Sequence, residues 1–230
     1  MTSDVTACVL IYRSTAWLDF VLRGLDRART DIPYELMVLG NDPEPHIRAD
    51  PRVTNCFFNA DPSEYFINRI YRAMNHAAAI ATTRFIVYLN SDMFVSDFWL
   101  DALLRTAGRG GTLPTSLLVE SGRLESALPE YARNFGRTPQ TFDTDGFIRH
   151  AESIRRREVL ELGRLYGPVL FDRSVFLRVG GYPEGNPPGT TGDRALFEKY
   201  CAATAAVHVT DCGSVVYHVQ CGEMVDREAE

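Results

Sequence analysis

The stretch Phe85-Ile-Val-Tyr-Leu-Asn90-Ser91-Asp92-Met93 puts polar oxygen atoms at the end of an apolar strand. Asn90 and Asp92 stand two apart, so in an extended segment their side chains point to one face. Two oxygen-bearing side chains there can hold a hard divalent cation, Mn2+ or Mg2+, whose other ligands are substrate phosphates. The competing reading makes Asp92 a cap for the turn that follows, and spacing alone favours the cap. Polar residues also follow two other apolar runs: Arg13-Ser14 after Val5 to Tyr12, and Asn41-Asp42 after Glu35 to Leu39. Trp17 and Trp99 fit apolar helical stripes and are expected in the core. Tyr182, in a Gly-Gly-Tyr-Pro turn, is a candidate for stacking on a base or sugar, since loops carry function. Arg155-Arg156-Arg157 is expected to be a solvated helix face rather than a phosphate site. Gly189 to Gly192 is either a lid or a plain connector.

These residues need a scaffold, and the hydrophobic pattern predicts one. Val5 to Tyr12 is a short apolar run rich in β-branched residues, which is a buried-strand signal, and Glu35 to Leu39, Val53 to Phe58 and Arg84 to Leu89 are further expected strands. Between them lie helical patterns: Leu18, Val21, Leu22 and Leu25 on one face, a helix opened by Asp61-Pro62-Ser63-Glu64 and running to about Ala81, and another from Asp97 to about Ala107. Strands separated by helices imply right-handed βαβ units and a mostly parallel sheet. Such sheets bind ligands at the carboxyl ends of their strands, where Arg13 and Ser14, Asn41 and Asp42, and Asn90, Ser91 and Asp92 all fall.

The second half is less regular. Ser116 to Val119, Gly167 to Phe171, Val207 to Thr210 and Ser214 to Val219 are expected strands. Phe147 to Leu165 is an expected charged helix, Ser174 to Val179 a short one and Asp193 to Ala203 another. Residues from about Pro129 to Asp145 are loop-like. No repeat and no linker interrupts the chain.

Composition narrows the class. The 230 residues are 45% hydrophobic and 23% charged, an ordinary globular balance that excludes a disordered protein. The net charge of -6 argues against a dedicated nucleic-acid binder, which needs a basic surface. No apolar run reaches the roughly 18 residues of a membrane span, and no signal peptide stands at the N-terminus. The 5 cysteines form no C-x-x-C pair, which argues against a disulfide framework or zinc site. Together these features predict a reducing, cytoplasmic setting.

Four pieces, in order, resemble a nucleotide-sugar glycosyltransferase of the GT-A fold, closest to glycosyltransferase family 2. They are Cys8-Val-Leu-Ile-Tyr-Arg-Ser-Thr-Ala-Trp-Leu, Leu36 to Asp42, Ala73-Met-Asn75-His76-Ala through Asp101, and Gly167 to Tyr182 followed by Gly192-Asp193-Arg-Ala-Leu-Phe. The resemblance implies a single GT-A domain with a Rossmann-like, mostly parallel central sheet flanked by helices. Residues 1–107 would form its nucleotide-binding half and 108–230 a smaller acceptor-binding half. It implies transfer from a nucleotide diphosphate sugar to an acceptor hydroxyl, inverting, with a divalent metal at the diphosphate. Asp92 matches the last acid of the family's D-x-D metal motif. Asn90 replaces its first acid, and an amide brings no charge. Asn41 and Asp42 fall at the pair that recognises the base, with one acid replaced by Asn. Tyr12, Arg13, Asn75 and Ser91 fall in the donor-side segments, although the family's usual Pro and Asn are absent from the first loop. Asp193 matches the general base, and Gly192 replaces the Glu before it. Asp193 is otherwise the N-cap of the following helix. His218 resembles the C-terminal histidine that completes the metal site, with His208 as its competitor.

Two other functions fit the same elements. A nucleotidyltransferase needs a Gly-rich or basic loop after its first strand to cradle triphosphate, and Arg13-Ser-Thr-Ala offers neither glycine nor lysine. A non-catalytic sugar-nucleotide or partner-binding domain of the same fold is consistent with Asn90 and Gly192. It would bind donor without turnover.

Overall fold

The computed structural model describes residues 3–61, 63–125, 127–164, 167–185 and 192–225. Every residue of β1 (Val5–Ile11) is buried, because both faces of the sheet around it are covered. Val5, Ala7, Val9 and Ile11 pack on one side, with Trp17, Leu18 and Val21 of α1 (Thr15–Arg27). Cys8 and Leu10 pack on the other, with Tyr71, Met74 and Ala77 of α3 (Phe66–Ile80). This period of two with apolar residues on both faces is the pattern of a doubly covered parallel strand. Before α3 come β2 (Tyr34–Asn41), the short α2 (Pro45–Arg48) and β3 (Asn55–Phe57).

The central sheet has the order β3-β2-β1-β4-β8, with β4 (Phe85–Asn90) and β8 (Leu170–Asp172). β1 runs parallel to β2 and to β4, with Ile11 opposite Gly40 and Leu10 opposite Asn90. Only β8 runs antiparallel. The carboxyl ends of β1, β2 and β4 therefore lie side by side.

A second sheet has the order β5-β9-β6: β5 (Met93–Val95), β9 (Val207–His218) and β6 (Thr112–Glu120). β7 (Leu160–Leu162) pairs with the first part of β9. α4 (Trp99–Gly108) connects β5 to β6. α5 (Thr144–Ile154), α6 (Arg173–Arg178), α7 (Gly192–Thr204) and α8 (Gly222–Val225) complete the described elements. Trp17 and Trp99 are both buried in the core, as their helical stripes imply.

Several boundaries differ from the sequence expectation. The helix expected over Phe147 to Leu165 begins at Thr144, capped by Asp143, and ends at Ile154. The backbone turns extended at Arg155, and the Arg156 N–H donates to the Cys212 carbonyl. Residues 160–162 then supply the ladder that the first part of β9 needs. Local helical pattern yields here to the requirement that buried backbone groups be paired. The two strands expected over 207–210 and 214–219 are one strand. Ser116 pairs with Asp211 while Leu117 pairs with Val215, so residues between them bulge out. Asp211 holds the bulge by accepting from the Gly213 N–H at 2.8 Å and the Thr106 hydroxyl at 2.6 Å. The helix expected to open at Asp61 instead begins at Phe66, because Asp61 closes a turn with Ser63. Pro62, Leu165 and residues 189–191 lie outside the described residues.

Candidate active site

Register alone assembles the first part of the site. β5 begins directly after Asn90-Ser91-Asp92 and runs antiparallel to β9, so Met93 sits opposite His218. β6 runs parallel to β9 on its other edge, so Glu120 also sits opposite His218. Three neighbouring strands thus deliver Asp92, His218 and Glu120 to one place. His218 Nε2 lies 3.6 Å from Asp92 Oδ2, and Nδ1 lies 3.3 Å from Glu120 Oε1. Burial disfavours the charged ring, but the two carboxylates outweigh it and raise the His218 pKa above the usual imidazole value. Gln220 Nε2 donates to the same Glu120 oxygen at 3.1 Å.

Among the described residues, no three His, Cys, Asp or Glu side chains converge as a metal cluster. The pair does have the chemistry of a partial site. One hard oxygen donor faces one imidazole nitrogen, and a carboxylate behind the ring fixes its other nitrogen. Outer carboxylates orient metal-binding histidines in this way. A divalent ion of the manganese type fits such a donor set, with its remaining positions open to a ligand's phosphates.

The second part is the loop after β1. The backbone N–H groups of Tyr12, Arg13 and Ser14 donate to the Glu223 carboxylate at 3.1, 3.1 and 2.7 Å. The Ser91 hydroxyl donates to the same carboxylate at 3.0 Å. Ser14 also caps α1 through its side chain. Glu223 therefore ties the end of β1 to the end of β4. Burial raises its pKa despite these four donors.

The third part follows β2. The Asp42 carboxylate accepts from the Asn59 backbone at 2.7 Å and from the Asn59 amide at 2.7 Å, and Arg69 pairs with it at 3.3 Å. The Asn59 amide also donates to Asn41 Oδ1 at 3.0 Å. Asp42 has a left-handed backbone (φ 49), a conformation that Asp tolerates better than most residues. Gly40 is crowded by Pro43. A Cβ at this position would fall 2.8 Å from the proline ring, so only glycine leaves room for the bend.

Asp193 lies in a separate cluster at the start of α7. The Tyr71 hydroxyl donates to Asp193 Oδ2 at 3.2 Å and accepts from the Gly192 N–H at 2.9 Å. Tyr182 also hydrogen-bonds the carboxylate. The two tyrosine rings stack at 4.6 Å between centroids. Burial raises the Asp193 pKa above the usual carboxylate value, against the lowering effect of both hydroxyls.

The structure thus joins Asp92 with His218, Tyr12 and Arg13 with Ser91, and Asn41 with Asp42. Asn90 closes β4 opposite Leu10. Asn75 exchanges two hydrogen bonds with the Tyr182 backbone, at 2.9 and 2.8 Å, and so braces the Asp193 cluster. Tyr182 itself is buried. His208 packs against Phe197 and its pKa falls to about 4 through burial. The three arginines do not form a helix face, because α5 ends at Ile154; Arg155 is half-buried, and Arg156 and Arg157 are exposed. Arg155 donates to Ser96, and Arg156 pairs with Glu161 and Tyr131. Glu120, Asn59, Tyr71 and Glu223 carry no signal of their own in the sequence. The rule that favours residues just past a strand covers two of them, since Glu120 follows Ser116 to Val119 and Asn59 follows Val53 to Phe58.

The fold is that of GT-A glycosyltransferases. Staphylococcus aureus TarS, residues 1–349, superposes with a TM-score of 0.63 at 11% identity, covering 94% of this chain and 60% of that one. Its complex with UDP-GlcNAc gives 0.61 at 11%, covering 93% and 58%. GalNAc-T7, crystallised with UDP, GalNAc and Mn2+, gives 0.62 at 13%, covering 94% and 44%. The chain spans between 44% and 60% of the length of these structures. No protein-family model matches the sequence, and no curated protein does. Among the described residues no helix is long and apolar enough to cross a membrane.

Proposed function

We propose that the chain is a glycosyltransferase that moves a sugar from a nucleotide diphosphate sugar to an acceptor hydroxyl with inversion. The observation that carries this reading is the Asp92–His218–Glu120 array at the carboxyl end of β4 in a GT-A sheet. TarS and GalNAc-T7, the structural neighbours, are known with UDP-GlcNAc and with UDP and Mn2+ respectively, which supports a nucleotide donor here. In this reading Asp92 and His218 hold the divalent metal, Mn2+ or Mg2+. When bound, the ion neutralises charge that grows on the departing diphosphate.

The chain's own residues do the rest. Asp42, held by Asn59 and Arg69, presents the acceptor edge of the base site beside Asn41. Tyr12, Arg13, Asn90 and Ser91 complete the donor side, while Asn75, expected there from the sequence, instead holds the turn at Tyr182 beside Asp193. Asp193 takes the proton of the acceptor hydroxyl as its oxygen bonds to the anomeric carbon and the bond to the diphosphate oxygen breaks. Residues 1–107 form the donor half and 108–230 the acceptor half, with Glu120 and His218 reaching back across. The setting is the reducing cytoplasm, in keeping with five free thiols.

Thermal unfolding tests the reading against UDP, GDP, dTDP and CDP, each with and without manganese. A nucleotide at 100 times its Kd adds about 2.7 kcal/mol, a rise of roughly 5–10 °C for a chain of this size. The expected result is a shift with one nucleotide that requires manganese. A shift indifferent to metal removes the roles of Asp92 and His218. No shift with any of the four removes the donor site.

Tyr71 is a positioning residue in this scheme. Tyr71→Phe takes one donor from the Asp193 carboxylate and leaves its burial unchanged, so the carboxyl pKa rises further. The acid limb of the kcat/KM profile is then expected to move to higher pH. A purely structural hydroxyl would lower stability and leave that limb in place.

A further inference from the structure

After β9 the chain folds back over the strand ends through a turn of unusual backbone. Gln220 and Cys221 both adopt left-handed conformations, φ 67 and 60, without being glycine. Consecutive residues of this kind hold conformational strain, and such strain persists where surrounding contacts enforce it. Gly222 comes next, and a side chain there would fall 2.5 Å from Asp92 Cβ and 3.0 Å from the Trp17 ring. Its N–H donates to Asp92 Oδ2 at 2.9 Å. The result of this turn is that Glu223 enters the concavity formed by the N–H groups of Tyr12, Arg13 and Ser14. Successive backbone N–H groups at a helix start form an anion-binding nest. Here the anion is the chain's own carboxylate, with the Ser91 hydroxyl as a fourth donor.

We propose that residues 220–223 are an internal anionic plug, in which Glu223 fills the nest after β1 until the phosphate of a ligand displaces it. The two anions need the same four donors, so they exclude one another. The plug and Asp92 are coupled through the Gly222 N–H, so withdrawal of Glu223 also frees an Asp92 oxygen. The stored strain of the turn favours release once a better anion arrives. The identity of that ligand as a donor diphosphate rests on the function proposed above. The plug itself rests on Glu223, its four donors and the strained turn.

The test is calorimetric titration of wild type, Glu223→Gln and Gly222→Ala with inorganic pyrophosphate. Glu223→Gln removes the competing charge at constant shape, and Gly222→Ala displaces the segment without touching Glu223. Both variants are expected to bind pyrophosphate about tenfold tighter than wild type, or more. Hydrogen exchange of residues 219–223 in wild type should speed up at saturating pyrophosphate. Equal or weaker binding by both variants, or absence of binding by all three proteins, overturns the plug. The same proteins titrated with UDP, GDP, dTDP and CDP in manganese separate the two ideas. Tight pyrophosphate binding by the variants with no nucleotide bound by any protein keeps the plug and removes the donor site. Equal nucleotide affinity across all three proteins keeps the donor site and removes the plug.

Discussion

Asp193→Asn is expected to lower glycosyl transfer by about 10²–10⁴-fold, the usual contribution of a positioned general base, while leaving nucleotide affinity unchanged. The substitution is conservative in shape. Tyr71 donates to one carboxylate oxygen, and an amide oxygen accepts the same bond. The stack of Tyr71 on Tyr182 and the brace from Asn75 do not depend on the charge. What the amide lacks is basicity. Burial raises the pKa of Asp193, which brings its proton affinity toward that of a base working near neutral pH. The readout is nucleoside diphosphate release from the donor that the thermal panel selects, with water or a supplied acceptor hydroxyl. Calorimetry with the nucleotide serves as the control for binding. Transfer at the wild-type rate would take Asp193 out of the chemistry and leave it as an acid in the first turn of α7, which begins at Gly192 and so does not use Asp193 as its N-cap.

The parts legible in the sequence were those encoded by local pattern. β1, β2 and β4 show apolar runs and α1 an apolar face that tertiary context only reinforces, so these elements are legible, although Asn41 and Asn90 close β2 and β4 rather than follow them. The elements that were not recoverable are those whose reason for existing is a distant partner. Met93 to Val95 is too short to show a period and is a strand because the end of β9 needs pairing. Residues 155–164 continue a helical pattern, yet the chain leaves it to serve the start of β9. The candidate site divides in the same way. Asp92 and His218 are visible one at a time as residues at strand ends, but their meeting depends on β5 and β6 flanking β9 in one register. Glu223 leaves no mark in the sequence, because its role depends on a turn through two left-handed residues and on a glycine fitted against Asp92.

The register argument gives the metal reading its sharpest consequence. Asp92→Ala removes the hard oxygen donor and leaves the imidazole of His218 as the main remaining side-chain ligand. Outer-shell partners alone change metal affinity by about 10–100-fold, so loss of the ligand itself is expected to cost about 100-fold or more. Manganese should then no longer tighten nucleotide binding, and the variant's affinity should match that of wild type without metal. Glu120→Gln provides the graded comparison. It keeps both proposed ligands and removes only the charge behind His218 Nδ1, so a loss of about 10–100-fold in manganese affinity is expected. The order matters more than either value, because only a metal held between Asp92 and His218 ranks the two substitutions this way. If Asp92→Ala keeps manganese-dependent nucleotide affinity, the ion sits elsewhere. The Asp92–His218 contact is then an ion pair that fastens the end of β9 to the end of β4, and the 3.6 Å between them is the spacing of that fastening.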